Sequence, residues 1–334
     1  MAHLGLLVTS AEDPSARFRF GSYLARFRAA GHRAEVLVLP SGRRARARLF
    51  RSLRSADAVV LLRRLLQPWE TWSLRRAVRR LVFEYDDALL LRDSSRGAVS
   101  GAARTWKFAA LVRAADQVVA GSAYLARLAQ PFRTEVAVVP TVVDPEAYPP
   151  RAPHAEAGPE GPVLGWIGTR PNLSYLEALG KPLAALVGER RFTLRVLADA
   201  PPALAGLAPA RIEFVPWRAE REAEFLRGLD VGLMPLKDDA WCRGKCGLKA
   251  LQYMAAGVPV VAANVGIAAE LIGPAGVTVP PGGDWIAVLR RLLGDAGLRN
   301  QLGAEGRRRV QQAFSPGVWF ERLEALYLGR ADEH

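Results

Sequence analysis

The chain has 334 residues, half of them hydrophobic, and a formal net charge of +13. That length accommodates two domains with cores of their own, and no apolar run is long enough to span a bilayer. With two cysteines, Cys242 and Cys246, and four histidines, a disulfide framework is excluded and a zinc site is disfavoured.

Residues Met1–Ser10 lead directly into the apolar run Leu4–Val8, without the charged start and small-residue cleavage site of a signal peptide. The run is expected to be a first strand and the protein cytoplasmic. Further short apolar runs follow at Glu35–Leu39, Ala58–Leu62, Leu81–Glu84, Gln117–Ala120 and Val136–Val139. Helical patterns lie between them at Ala16–Ala30, Arg43–Arg54, Arg104–Ala114 and Ser122–Ala129. Strands separated by helices predict a parallel sheet covered on both faces.

The stretch Pro149–Pro162 has five prolines and two glycines and is expected to be an inter-domain linker. The alternation restarts after it. Strands are expected at Val163–Ile167, Thr193–Leu197, Ile212–Val215, Val231–Met234, Val258–Ala262 and Val277–Val279. Helices are expected at Leu173–Val187, Ala219–Leu226, Leu248–Ala256, Trp285–Leu293 and Leu298–Ala313. The reading is therefore two Rossmann-like domains, 1–150 and 163–315. A C-terminal helix over 317–330, amphipathic through Trp319, Leu323, Leu326 and Tyr327, is expected to return to the first domain.

Positive charge is uneven. Residues 1–150 hold 24 Lys and Arg against 13 Asp and Glu, a net of +11, and the remainder carries +2. The excess is densest at Arg43, Arg44, Arg46, Arg48, Arg51 and Arg54. A basic face attracts nucleic acid, anionic lipid or an acidic small molecule, and it is also an ordinary solvated face in an arginine-rich chain. The aromatic–basic interleaving of a single-strand nucleic-acid platform is absent from this cluster, so nucleic acid is not expected as a partner.

Ligands of open parallel sheets bind beyond the carboxyl ends of the strands, and two such sheets facing each other place the site in the cleft between them. Attention falls on the loops after strands. Thr9–Gly21 carries Arg17 and Arg19, which are expected on the acceptor side. It has no GxGxxG, and GxxxxGK[ST] and GxSxG are also missing, so a dehydrogenase, a P-loop kinase and a hydrolase nucleophile turn are disfavoured. Glu84-Tyr85-Asp86-Asp87 ends a strand. Its adjacent carboxylates orient a hydroxyl, take its proton, cap a helix or hold a cation, and one of the two faces the cleft. In Gly168-Thr169-Arg170-Pro171-Asn172, Gly168 permits close backbone approach, Arg170 reaches a phosphate, and Asn172 is a candidate N-cap. Lys237–Gly247, with Asp238, Asp239, Trp241, Arg243 and Lys245, is long and charged for a mere connector. In GKCGLKALQYMAAGVPVV (244–261), Lys245, Lys249 and Gln252 are spaced to share a helix face. That face opens at an N-terminus, where free N–H groups and the helix dipole attract phosphate.

These segments together resemble the GT-B glycosyltransferases, specifically the retaining family 4 (group 1) type. LKALQYMAAGVPVVAANVGIAAELI (248–272) is the most specific part. GWIGTRPNLSYL (165–176), VGLMPL (231–236), VFEYDDA (82–88), VAGSAYLARL (119–128) and VVPTVVD (138–144) support it. The resemblance implies a nucleotide-sugar donor in the second domain and a glycan, lipid-linked or other acceptor in the first. It implies no metal and no bound cofactor. It implies catalytic roles for Lys249, Arg170 and Asp87. Gly168, Thr169, Asn172, Asp238, Arg243, Lys245 and Gln252 are implied at the donor, and Arg17, Arg19 and Asp86 at the acceptor. The family carries two glutamates eight positions apart, and here those positions are Gly244 and Gln252. An amide still bonds ribose hydroxyls, so Gln252→Glu is expected to be tolerated. The missing side chain at 244 leaves open a GT-B-fold protein that binds a nucleotide-sugar or glycan without transfer. An anionic membrane surface is the further partner suggested by the basic first half.

Overall fold

A computed structural model of the protein describes residues 1–94, 97, 99–152, 161–208 and 211–330. It divides into two compact units. The first contains Met1–Val142, Asp239–Cys246 and the segment from Pro316. The second contains Val143–Asp238 and Gly247–Ser315. The chain thus enters the second unit at Val143, ahead of the proline-rich stretch, of which residues 153–160 lie outside the described residues.

In the first unit, β1 (His3–Val8), β2 (Arg33–Val38), β3 (Ala58–Leu62), β4 (Leu81–Tyr85), β5 (Gln117–Ala120) and β6 (Ala137–Val138) form a sheet of order β2-β1-β3-β4-β5-β6. Every pairing is parallel. β1, β3 and β4 are apolar along nearly their whole length because both faces are covered. One face packs on Phe50, Leu74, Phe108 and Leu111 of the helices Arg43–Ser52, Pro68–Ala77 and Ala102–Ala114. The other packs on Phe20, Tyr23 and Phe27 and on Leu323 and Tyr327 of the C-terminal helix Pro316–Leu328.

The helix expected over Ala16–Ala30 is not continuous. A first turn, Pro14–Ala16, leads into a wide π-type turn, Arg17–Gly21, and then the helix Ser22–Ala29. The extra residue per turn shifts the inward stripe, so that Phe18, Arg19 and Phe20 are all buried.

In the second unit, β7 (Val163–Ile167), β8 (Thr193–Ala198), β9 (Ile212–Pro216), β10 (Val231–Met234), β11 (Val260–Ala263) and β12 (Gly276–Val279) form the order β12-β11-β10-β7-β8-β9, again all parallel. The expected helix Leu173–Val187 is two helices, Leu173–Glu177 and Gly180–Val187. Gly180 lies so close to Ala205 that a β-carbon would stand 2.9 Å from its carbonyl oxygen. Among the described residues, no helix is long and apolar enough to cross a membrane.

Candidate functional site

In the second sheet the connections leave β7 and β10 in opposite directions, so the crevice beyond their carboxyl ends is the topological switch point. Two segments meet there: the loop after β7 and the helix Leu248–Ala255 that joins β10 to β11. The helix starts on Gly247, whose φ of 70° lies in the left-handed region. Gly247 carries no side chain to cap the first turn, and a helix start of this kind attracts an anion. Lys249, in the first turn, lays its ammonium over the Trp166 ring, 4.0 Å from the centroid. The same nitrogen closes on Gly168. A β-carbon built there would stand 2.7 Å from it and overlap the Trp166 ring. Gly168 is therefore glycine so that a buried indole and a lysine can share its Cα surface. The loop that follows is tied down locally. The Arg170 N–H donates to Asp199, and the Asn172 amide donates to the Thr169 hydroxyl at 2.9 Å. Asn172 makes no side-chain cap, contrary to expectation: it ends the tight turn Arg170–Asn172 with helical backbone angles, φ −99° and ψ −3°, rather than the extended ones of a capping residue. Thr169 and Arg170 are exposed.

One helical turn beyond Lys249, Gln252 is 3% exposed. Its amide donates to the Tyr148 hydroxyl at 3.2 Å and, at 3.5 Å, to Glu222. Glu222 also accepts from the Trp217 indole N–H at 2.9 Å. These partners come from the chain before β7 and from the segment after β9.

Lys245 is not on this helix. The loop turns at Cys242–Gly244, with Asp239 accepting the Cys242 N–H at 2.8 Å, and residue 245 is extended. Residues 239–246 belong to the first unit, whereas Asp238 is in the second and exposed. Gly244 packs on Ala88, where a β-carbon would stand 2.7 Å from the alanine methyl. Cys246 is packed on Gly121. Burial, and then the nearby Asp86, push its thiol well above the ordinary range. Arg243 is exposed.

The switch point of the first sheet lies between β1 and β3, and Arg63 occupies it. It is the one non-glycine residue with positive φ among the described residues, at 54°, directly after β3. Its backbone N–H donates to the Glu84 carbonyl. Its guanidinium bonds Ser15, Asp13 at 3.2 Å and Asp87, and lies 3.3 Å from Asp86. Loops after three strands are thereby pinned by one cation. Lys245 adds a second, 3.1 Å from Asp87 and 4.7 Å over Trp241. The two carboxyls diverge as a result. Burial pushes Asp86 up, and Arg63 offsets only part of this. Burial also penalises the Asp87 carboxylate, but Lys245 and then Arg63 outweigh it and hold Asp87 below the usual range. One carboxyl held low and one raised place a fixed anion beside a weaker acid, an arrangement that can orient a hydroxylated ligand.

Arg19, expected to face the acceptor, is instead a core residue, 2% exposed. It donates to Glu84 at 2.5 Å and to the Val139 carbonyl at 2.8 Å, and the Tyr327 hydroxyl also bonds Glu84. The wide turn points it inward. Arg17 is half-buried, with its guanidinium 5.3 Å from the Phe18 ring centroid.

Residues 161–295 match the family model described as Glycosyl transferases group 1. Two curated relatives are similar over part of their length. A D-inositol 3-phosphate glycosyltransferase of Jonesia denitrificans is 32% identical over 175 residues, 46% of this chain and 40% of that protein. One of Arthrobacter sp. is 31% identical over 150 residues, 44% and 32%. The chain thus spans less than half the length of these relatives. Among solved structures, sucrose-phosphate synthase from Thermosynechococcus elongatus superposes with a TM-score of 0.75 at 19% identity, covering 98% of both chains. Anabaena HepE in complex with UDP and glucose does so with a TM-score of 0.70 at 15% identity, covering 97% of this chain and 98% of that one. These likenesses show the GT-B fold.

The second unit brings together Gly168, Lys249 and the loop of Thr169, Arg170 and Asn172, with Gln252 in the buried layer behind. Lys245 gathers with Asp86 and Asp87 in the other unit. Arg63 and Asp13 were not among the residues expected at the site. The available signal was position, since Arg63 immediately follows the apolar run Ala58–Leu62. Trp166, Tyr148 and Glu222 carried no such signal, because each reads as ordinary core or helix surface.

Proposed function

We propose that the protein is a retaining glycosyltransferase. It moves a sugar from a nucleotide-sugar donor to a glycan, lipid-linked or other hydroxyl-bearing acceptor, without a metal ion or bound cofactor. The observation that carries this reading is Lys249 held over Trp166 against the bare Gly168, at an uncapped helix start inside a group 1 domain. A fixed ammonium and aimed N–H groups stabilise the charge that develops on a departing diphosphate, which is the main demand of this chemistry. Arg170 sits on the neighbouring loop and adds a second cation. HepE was solved with UDP and glucose, and its fold likeness supports a nucleoside diphosphate as the leaving group.

On the acceptor side, Asp87 is the anion that orients a hydroxyl, with Asp86 and Arg17 beside it in sequence and loop order. The curated relatives are named for a phosphorylated polyol, which supports an acceptor bearing negative charge near Arg63 and Lys245. The reaction belongs on the cytoplasmic side, where nucleotide-sugars are made.

A second reading, a binder without transfer, is favoured by Gly244, where the resemblance leads one to expect a carboxylate. Its packing on Ala88 supplies another reason for glycine there. The deciding experiment incubates the protein with UDP- and GDP-sugars and simple acceptors and measures released nucleotide, with the anomeric configuration of the product read by NMR. Release abolished by Lys249→Ala supports transfer. Binding of a nucleotide-sugar with no release under any acceptor supports the binder, and an inverted anomeric centre rejects retention.

A further inference from the structure

The helices Arg43–Ser52, Pro68–Ala77 and Ala102–Ala114 pack side by side on one face of the first sheet. Each sends its buried residues, Phe50, Leu74 and Phe108, into the same core. Their opposite sides form one outward face. These three helices hold ten basic residues and a single acid, Glu70. Glu70 is buried, pairing with Arg46 at 2.8 Å and closing the capping box of its own helix. The outward face therefore presents no carboxylate from these helices. Arg43, Arg44, Arg48, Arg51, Arg76 and Arg113 are exposed on it.

Large aromatic rings stand among these cations. Trp69, Trp72 and Trp106 are 49%, 63% and 57% exposed, two on one helix and one on its neighbour. A buried site has no use for three such rings in water, and an indole with one apolar and one polar edge is suited to the headgroup layer of a bilayer. Arg43 covers Trp69 at 5.1 Å, and Arg76 covers Trp72 at 4.8 Å. A guanidinium lying on an indole keeps its N–H fork free for a phosphate while the ring enters the apolar boundary. The same cover occupies the ring face that a nucleic-acid base would need for stacking. Charge and ring geometry together favour lipid over nucleic acid.

We propose that this three-helix face is a docking surface for an anionic phospholipid bilayer, with Trp69, Trp72 and Trp106 seated at headgroup depth and the exposed arginines on lipid phosphates. The inference does not depend on sugar transfer. It assigns a partner to a surface built wholly from the first unit, and vesicle binding is read without any donor.

The test is co-sedimentation of the full chain with vesicles of phosphatidylcholine alone or with phosphatidylglycerol added, at low and high salt, alongside tryptophan emission. Binding and a blue shift are expected only with the anionic vesicles, weakening as salt rises. Arg43→Ser, Arg44→Ser, Arg48→Ser and Arg51→Ser combined are expected to weaken binding by at least about 100-fold. Trp69→Ser with Trp72→Ser is expected to remove most of the blue shift. Circular dichroism reports whether each variant folds, and quenching of the wild type by brominated lipid gives the same answer without any variant. Equal binding to neutral and anionic vesicles, or none to either, overturns the proposal. So does a single-stranded RNA that binds more tightly than the vesicles and displaces them.

Discussion

The ammonium of Lys249 rests on the indole of Trp166, 4.0 Å from the ring centroid. The residue that makes room for it is neither of the two but Gly168, whose missing β-carbon would fall 2.7 Å from that nitrogen. A cation on a ring in a partly dry setting is attracted by the ring quadrupole. Held there at the helix start, it is aimed before any ligand arrives.

Two substitutions separate the aim from the charge. Lys249→Ala removes the charge and is expected to weaken UDP or GDP binding by about 1.5–3 kcal/mol. Gly168→Ala keeps the lysine but displaces it, and is expected to cost about 10-fold or more in nucleotide affinity, because the β-carbon meets both Trp166 and Lys249. Calorimetric titration of both variants decides the matter. An alanine at 168 that binds nucleotide like the wild type would falsify the packing argument.

The sequence-level expectation that Gln252→Glu is tolerated does not survive the geometry. The new carboxylate would stand beside Glu222, now 3.5 Å from the amide nitrogen, in a layer with almost no solvent. Two buried carboxyls at that distance do not both ionise, so the pair's pKa rises in the fold. The cost is small near pH 4, where the unfolded glutamate is itself protonated. Above the unfolded value of about 4.3 it grows by about 1.4 kcal/mol for each further pH unit, until the raised folded value is reached. Urea unfolding across that range is the measurement, and Glu222→Gln in the same chain should restore stability. A variant as stable as the parent at neutral pH, without that second change, rules the argument out.

Asp87 behaves in the opposite sense. Its carboxyl is held below the usual range by Lys245 and Arg63 against the pull of burial. A depressed folded pKa contributes stability that is present above the unfolded value, about 3.9, and is lost as pH falls below it. Lys245→Ala is therefore expected to cost the first unit about 1–2 kcal/mol at neutral pH, the lysine being a quarter exposed. The difference from wild type should shrink on acidification below about pH 4. Chemical denaturation at the two pH values checks this, and a difference that stays constant with pH would assign the lysine a packing role only.

Restoring a glutamate at 244 tests the reading of the glycine. With Ala88 in the way, Gly244→Glu is expected to destabilise by about 1–3 kcal/mol through overpacking, and to leave donor affinity no better. Thermal unfolding and nucleotide titration are the readouts. A stable variant with faster turnover would show instead that the position was open and that a carboxylate belongs there.

What was legible beforehand follows the physics of each element. The strands from Leu4–Val8 to Val231–Met234 show as apolar runs because sheets covered on both faces leave no polar alternation to confuse the pattern. Gly168, Lys249, Asp86 and Asp87 stood out in the sequence because they stand at strand ends or a helix start. Lys245 was misplaced because spacing alone extends a helix backwards through Gly247, whereas that residue's left-handed φ of 70° marks where the helix begins. Arg19 looked like a loop cation because nothing in the local pattern distinguishes a wide π-type turn from a helix. Its partners, Glu84 and Val139, are 65 and 120 positions away. Gln252 and Glu222 likewise meet only through tertiary packing, 30 positions apart.

The bond from the Tyr327 hydroxyl to Glu84 spans 243 positions of chain. Glu84 and Arg19 leave the ribosome early and are desolvated in the finished unit, yet the helix that covers them is made after the whole second unit. During synthesis the first sheet must therefore wait with a charged pair and the apolar row of Phe20, Tyr23 and Phe27 on an uncovered face. The unit begun first is closed last. A stop codon a few residues ahead of Tyr327 would leave that face open for the lifetime of the molecule, and such a product is a natural client for chaperones and proteases.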